Sequence, residues 1–189
     1  MVGARCRSRR TPATISLASM AEKTAYDLTE AESALLTAAT RNAMGEAGAL
    51  GGAVVDRSVG GLFTARAGAA GGRFGARFTR PMTAAATLEV PHDPEAVREQ
   101  ARASIAEDGA VIEDPNGAGD GSVWGLVGSG ASNMVPAMVR VHIEATDAGG
   151  SRVDVRATGR EGLIKQRIAA KAVDRVCEAI SRRPGPLTP

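Results

Sequence analysis

His92 and His142 are the chain's two histidines and Cys6 and Cys177 its two cysteines, and their positions decide which chemistry is open to them. A zinc site needs three or four ligands at short, defined spacings. The histidines are separated by a predicted helix and two predicted strands, with no cysteine or carboxylate at ligand spacing, so neither a metal nor another cofactor is expected. No Gly-x-Ser-x-Gly elbow occurs, and no cysteine has a credible base partner, so the pattern carries no catalytic nucleophile. Cys177 sits one helical turn from Val173 and Ile180 and reads as a small buried hydrophobe. A reactive thiol would need an exposed, electropositive setting, for which the nearby Arg175 is the one argument.

Two loops resemble ligand sites and have simpler explanations. Gly125-Leu126-Val127-Gly128-Ser129-Gly130 has the glycines of a phosphate loop, but such a loop needs a following helix whose amides face the phosphate. Here Pro136 and a predicted strand follow, and a flexible bend between strands is expected. Asp114, Asn116 and Asp120 are spaced like part of a calcium loop, but Ala118 and Gly125 stand where further oxygen ligands belong. Asp-Pro and Asp-Gly turns account for the same residues.

The polar groups with a defined mutual placement are Arg140, His142, Asp154 and Arg156. Val139, Val141 and Ile143 alternate with Arg140, His142 and Glu144, and Val153 and Val155 alternate with Arg152, Asp154 and Arg156. That is the pattern of a hairpin with one buried and one wet face. With its turn centred on Ala148, Glu144 opposes Arg152 and His142 opposes Asp154, two favourable cross-strand pairs. An enzyme built on this chain would have to draw on His142, Asp154 or Arg156 on that open face.

Basic residues gather in two other places. Arg160, Lys165, Arg167, Lys171 and Arg175 give the last predicted helix a basic side, read as a solvated face with anion binding as the alternative. Between Arg57 and Arg80 there is no acidic residue, while Arg66, Arg73, Phe74, Arg77, Phe78 and Arg80 interleave charge and aromatic rings with glycine. Segments of this kind stack on single-stranded nucleic acid or lie against anionic lipid, although a Gly-rich composition alone generates them. With a formal net charge of +2, nucleic acid would have to be held by such a local arm, because no whole-chain field exists to attract it.

The elements that position these residues follow from periodicity. Residues 1–28 form a basic N-terminal extension with a mixed segment at residues 14–20; Met20 is an alternative translation start, and a targeting peptide is the weaker reading. Thr29-Glu30-Ala31-Glu32 has capping-box spacing and opens a helix over 29–44 whose mostly Ala surface docks weakly. Residues 45–82, rich in Gly, Ala and Arg, read as a flexible linker, 83–182 as the folded domain, and 183–189 as a tail. In the domain, Thr87 to Val90 alternates as a strand. Asp93-Pro94-Glu95 opens a helix striped by Val97, Ala101 and Ile105 that ends before Gly109. Short strands are expected at 110–113 and 122–127, then the hairpin. A long helix from Glu161 to Ser181 carries Ile164, Ile168, Ala172, Val176 and Ile180. No stretch approaches 18 apolar residues, so no transmembrane helix is expected, and the cysteine usage fits a reducing cytoplasm.

The resulting order is strand, helix, four strands, long helix. This α+β order resembles the TBP-like and helix-grip group, in which a curved antiparallel sheet wraps a C-terminal helix. Gly162-Leu163-Ile164-Lys165-Gln166, Lys171-Ala172-Val173 and Ser132-Asn133-Met134-Val135-Pro136-Ala137 are similar to segments of small bacterial proteins of this shape. That resemblance implies a fold and carries no activity. The function expected is a non-enzymatic binding or assembly domain for a small apolar ligand or a protein partner, with a nucleic-acid-associated protein and an enzyme as alternatives. A cavity of about 300 Å³ or more would favour a ligand.

Overall fold

The computed structural model describes residues 28–55, 79–129, 135–161 and 166–182, together with Ala70 and Phe74. It is an α+β fold built on a curved five-stranded antiparallel sheet. The strands are β1 (Arg80–Val90), β2 (Gly109–Ile112), β3 (Val123–Ser129), β4 (Val135–Ala145) and β5 (Ser151–Glu161), in the spatial order β1-β5-β4-β3-β2. Three helices with defined bounds accompany them among the described residues: α1 (Glu30–Val55), α2 (Pro94–Asp108) and α3 (Ile168–Ser181). Helices α2 and α3 pack on one face of the sheet, and α1 lies against the other.

The main core follows from period-two alternation meeting two helical stripes. Ala86, Leu88 and Val90 of β1, Val139, Val141 and Ile143 of β4, and Val153 and Val155 of β5 face Val97, Ala101 and Ile105 of α2. Ile168, Ala172, Val173, Val176 and Ile180 of α3 complete it. With aliphatic side chains and no ring, close packing relies on small residues where a helix crosses the sheet. A Cβ added at Gly125 would lie 2.2 Å from Ile105 Cγ2, and one added at Gly159 would lie 2.6 Å from Ile168 Cγ2. The sheet and these helices are in direct contact there. Gln100 joins the helices at one end, its amide donating to the backbone carbonyls of Ala179 at 2.6 Å and Arg182 at 2.7 Å.

Helix α2 starts as its residues dictate: Asp93 accepts the Glu95 N–H at 2.9 Å, and Pro94 occupies the first turn. The capping box of α1 is also present. The Thr29 N–H donates to Glu32 Oε2 at 3.0 Å, and the Glu32 N–H donates to Thr29 Oγ1 at 3.2 Å.

Several elements differ from the sequence expectation. Helix α1 runs to Val55 instead of ending near Met44, so residues 45–55 are helix and not linker. A nucleated helix propagates at small cost per residue, and the alanines between its glycines favour it. Nor is α1 merely a weak appendage. Leu36 is fully buried in a second cluster with Trp124 and Met138. Strand β1 begins at Arg80 rather than Thr83, and β2 and β3 end at Ile112 and Ser129. The glycine segment expected as a bend is therefore strand as far as Ser129.

The largest correction concerns Glu161. It is the last residue of β5, and the C-terminal helix begins only at Ile168. Ala157 and Gly159 continue the inward alternation of Val153 and Val155, small enough to let α3 approach, and so carry the strand onward. Arg167, at the helix N-cap, adopts a left-handed conformation (φ 54°) and makes no side-chain cap. The buried Glu161 carboxylate replaces it, accepting the Ile168 N–H at 2.6 Å. Of the basic side assigned to the last helix only Lys171 and Arg175 lie on it: Arg160 is on β5 and donates to Thr79 and Thr37, Arg167 precedes the helix as its N-cap, and Lys165 lies outside the described residues.

Candidate functional site

The outer face of the sheet, opposite the main core, is a grid of rows set by strand register. Thr87, Asp154 and His142 form one row across β1, β5 and β4. The next contains Ala85, Arg156, Arg140 and Trp124, and the one after it Thr83, Thr158, Met138 and Leu126. Successive rows lie about 7 Å apart, two residues along each strand. Helix α1 covers the apolar corner of this grid, where Leu36 meets Trp124 and Met138. Beside it, Ala85, Ala86, Thr87, Arg140, His142, Asp154, Val155 and Arg156 line an open groove of about 390 Å³.

All four residues of the expected polar sheet face thus meet in one groove. The hairpin register is as expected, with His142 opposite Asp154 and Glu144 opposite Arg152. The bonds differ from the expected pairs. Asp154 Oδ1 accepts from Thr87 Oγ1 at 2.5 Å, and its other oxygen is 3.7 Å from Arg152 Nε. His142 lies between Ser122 and Glu144, with Nδ1 3.1 Å from Ser122 Oγ and Nε2 3.2 Å from Glu144 Oε1. Asp154 has a direct cross-strand neighbour on each side, Thr87 and His142, and bonds Thr87, while Arg152–Asp154 and His142–Glu144 are i, i+2 neighbours on one face of a strand, so register alone does not choose the partner.

Arg140 is held from three directions. Its Nε donates to Ser122 Oγ at 3.2 Å, a terminal nitrogen pairs with Asp120, and the guanidinium stands 5.2 Å from the centre of the Trp124 ring. Burial opposes ionisation of Asp120. The Ser122 backbone N–H and hydroxyl and the Arg140 guanidinium outweigh it and hold the carboxyl below its ordinary value of 3.8. Arg140 and Arg156, directly opposed in register, line both the groove and a smaller recess beneath the start of α1. That recess is also lined by Leu28, Glu32, Trp124, Met138 and Thr158. Glu32 is buried there, its Oε1 accepting from Asn116 Nδ2 at 3.0 Å.

Arg140 and Arg156 thus form a band of two guanidinium groups between Asp154 in the groove and Glu32 in the recess, with Arg140 also paired with Asp120. Two opposed cations offer forked donors to a carboxylate or phosphate. Thr87, Asp120, Ser122, Trp124 and Glu32 belong to this site and were not singled out for it in the sequence. The alternation of β1 marks Thr87 as outward-facing, but only the β1–β5 pairing brings it to Asp154. Glu32 was legible only as a cap.

The other candidate residues lie elsewhere. Arg66, Arg73, Arg77 and Phe78 fall outside the described residues; Phe74 is 58% exposed, and Arg80 opens β1. In the Asp114 loop, Asp114 accepts N–H groups from Asn116, Ala118 and Gly119, an Asx-type turn. Cys177 is largely buried, and burial together with the Asp174 charge pushes its thiol up to about 12. No helix among the described residues is long and apolar enough to cross a membrane. No protein-family model, curated protein or solved structure matches the chain.

Proposed function

We propose that this chain is a non-enzymatic binding domain that holds a small anionic molecule in the groove on the outer face of its sheet. The observation that carries this reading is the opposition of Arg140 and Arg156 across β4 and β5, both lining a groove of about 390 Å³. Asp120, Ser122 and Trp124 hold the Arg140 guanidinium at this face, so its position does not depend on a ligand. The groove is of a size that suits a small molecule. An apolar ligand between sheet and helices has less support, because Gly125 and Gly159 bring those layers into contact. Binding fits better than acid–base chemistry, since both His142 ring nitrogens and an Asp154 oxygen are already engaged.

The TBP-like and helix-grip resemblance is compatible with this proposal without specifying it. The nucleic-acid alternative rests on Phe74, Arg80 and residues outside the described ones. Isothermal titration calorimetry of the full chain with phosphate and with a carboxylate such as citrate, at low ionic strength, tests the reading. Saturable one-site binding that is lost in Arg156→Ala is expected. Absence of binding by either anion, or identical binding by Arg156→Ala, would overturn it.

A further inference from the structure

Helix α1 meets the outer face of the sheet along a narrow line. Glu32, Leu36 and Thr40, four residues apart along the helix, are its buried side chains among those described, and only the middle one is apolar. By comparison, α3 buries six apolar residues. Leu28 and Leu35 add partly buried surface around Trp124 and Met138, and Arg160 donates to Thr37 at 3.0 Å. The start of the helix is latched by one side chain: Asn116 accepts from Thr29 Oγ1 at 2.7 Å and donates to Glu32 Oε1 at 3.0 Å. Docking also leaves the Trp124 indole N–H buried with no acceptor among the described residues, a donor that water would satisfy if α1 moved away.

Beneath this part of α1, the recess lined by Glu32, Trp124, Arg140, Arg156 and Thr158 has a volume of about 10 Å³, room for one water and nothing larger. Arg140 and Arg156 also line the open groove, so the two spaces share those side chains as a wall. We infer that α1 is a displaceable lid that opposes anion binding. Docked, it closes the recess and sets the Glu32 carboxylate beside the arginines; undocked, it withdraws that charge and joins recess and groove in one cleft. The part played by the anion rests on the reading above. Asp120 and Asp154 remain with the sheet, so Glu32 is the one carboxylate here that leaves with the helix. An anion is repelled by Glu32 in the docked state, and that difference in affinity shifts the population towards the undocked one.

The experiment is native-state hydrogen exchange of the full chain, together with phosphate calorimetry, on the parent, Asn116→Ala and Glu32→Gln. Most of a helix's stability comes from the surface it packs on, so undocking registers as exchange of its amides. The amides of Leu36 to Thr40 are expected to be protected at least about tenfold less than those of Val141 and Val155. Asn116→Ala lowers their protection by a further factor of about three to ten and leaves β4 and β5 unchanged. Glu32→Gln keeps a residue suited to the capping box while removing the charge, and phosphate binds it severalfold tighter than the parent. Amides of α1 as protected as those of β4 and β5, and unmoved in Asn116→Ala, would overturn the lid. Unchanged phosphate affinity in Glu32→Gln would overturn its opposition to anions. Absence of phosphate binding in parent and variant alike would overturn the anion reading itself, while the exchange of α1 still decides whether it is a lid.

Discussion

Arg140 on β4 and Arg156 on β5 stand directly opposite each other on the outer face of the sheet, and both line the same groove. Asp120 and Trp124 stabilise Arg140 in this position, and the ring of Trp124 is itself held beneath α1 by Leu36. Fold and site are connected here: the helix that covers the apolar corner of the face also fixes the floor against which a cation is placed.

Replacing Arg156 by Thr removes one of the two opposed guanidinium groups and keeps a good strand former. Stability in urea is expected to change by no more than about 0.5 kcal/mol, while anion-dependent stabilisation disappears. A loss of several kcal/mol would show that Arg156 serves the fold rather than the groove.

The close approach of β2 to β3 depends on Gly109. A Cβ added there would lie 1.9 Å from the backbone carbonyl oxygen of Leu126, which has no freedom to retreat. Gly109→Ala is expected to cost about 1–3 kcal/mol, read as a shift in the denaturation midpoint. An unchanged midpoint would mean that this end of the sheet is not packed as described.

Glu161→Ala removes the acceptor of the Ile168 N–H at a helix start that has no side-chain cap of its own. A loss of about 1–2 kcal/mol is expected. Hydrogen exchange should localise the effect, with the Ile168 amide losing protection first.

This last device also marks where the sequence was readable and where it was not. Strand order along the chain, the hairpin register about Ala148 and the inward stripes of α2 and α3 followed from apolar periodicity, because burial on one face imposes it. The boundary at Glu161 did not. Its neighbours Ala157 and Gly159 are inward-facing strand residues too small to register as apolar, while the helical spacing from Ile164 onward masked the end of the strand. Likewise α1 reads as weakly amphipathic because its cluster rests on a few residues, chiefly Leu36, against Trp124 and Met138 on a face that alternation marks as polar. Four members of the groove were visible as outward-facing polar residues. Their convergence with Thr87 required the pairing of β1 with β5, which no local pattern encodes.

A charge placed in the α3 stripe would have no partner. Val176→Asp is expected to unfold the domain, with a cost of about 4 kcal/mol or more, whereas Lys171→Ala on the exposed side should be nearly silent. Circular dichroism melts of the two variants distinguish these faces.

Cys177, with its thiol raised to about 12 by burial and the Asp174 charge, should react with iodoacetamide at pH 8 far more slowly than a free cysteine. Mass mapping of the labelled site against a urea-unfolded control measures the ratio. Equal rates in the folded and unfolded chain would contradict its placement beside the core.

The central claim is that the arginine pair is a binding site, and the most direct measurement is a ¹H–¹⁵N NMR titration of the full chain with phosphate at low ionic strength. Saturable shifts centred on Arg140, His142, Asp154 and Arg156, including the arginine Nε–H resonances, are the predicted result. Non-saturating shifts, or shifts centred on Arg66, Arg73 and Arg77 with the groove unmoved, would contradict it.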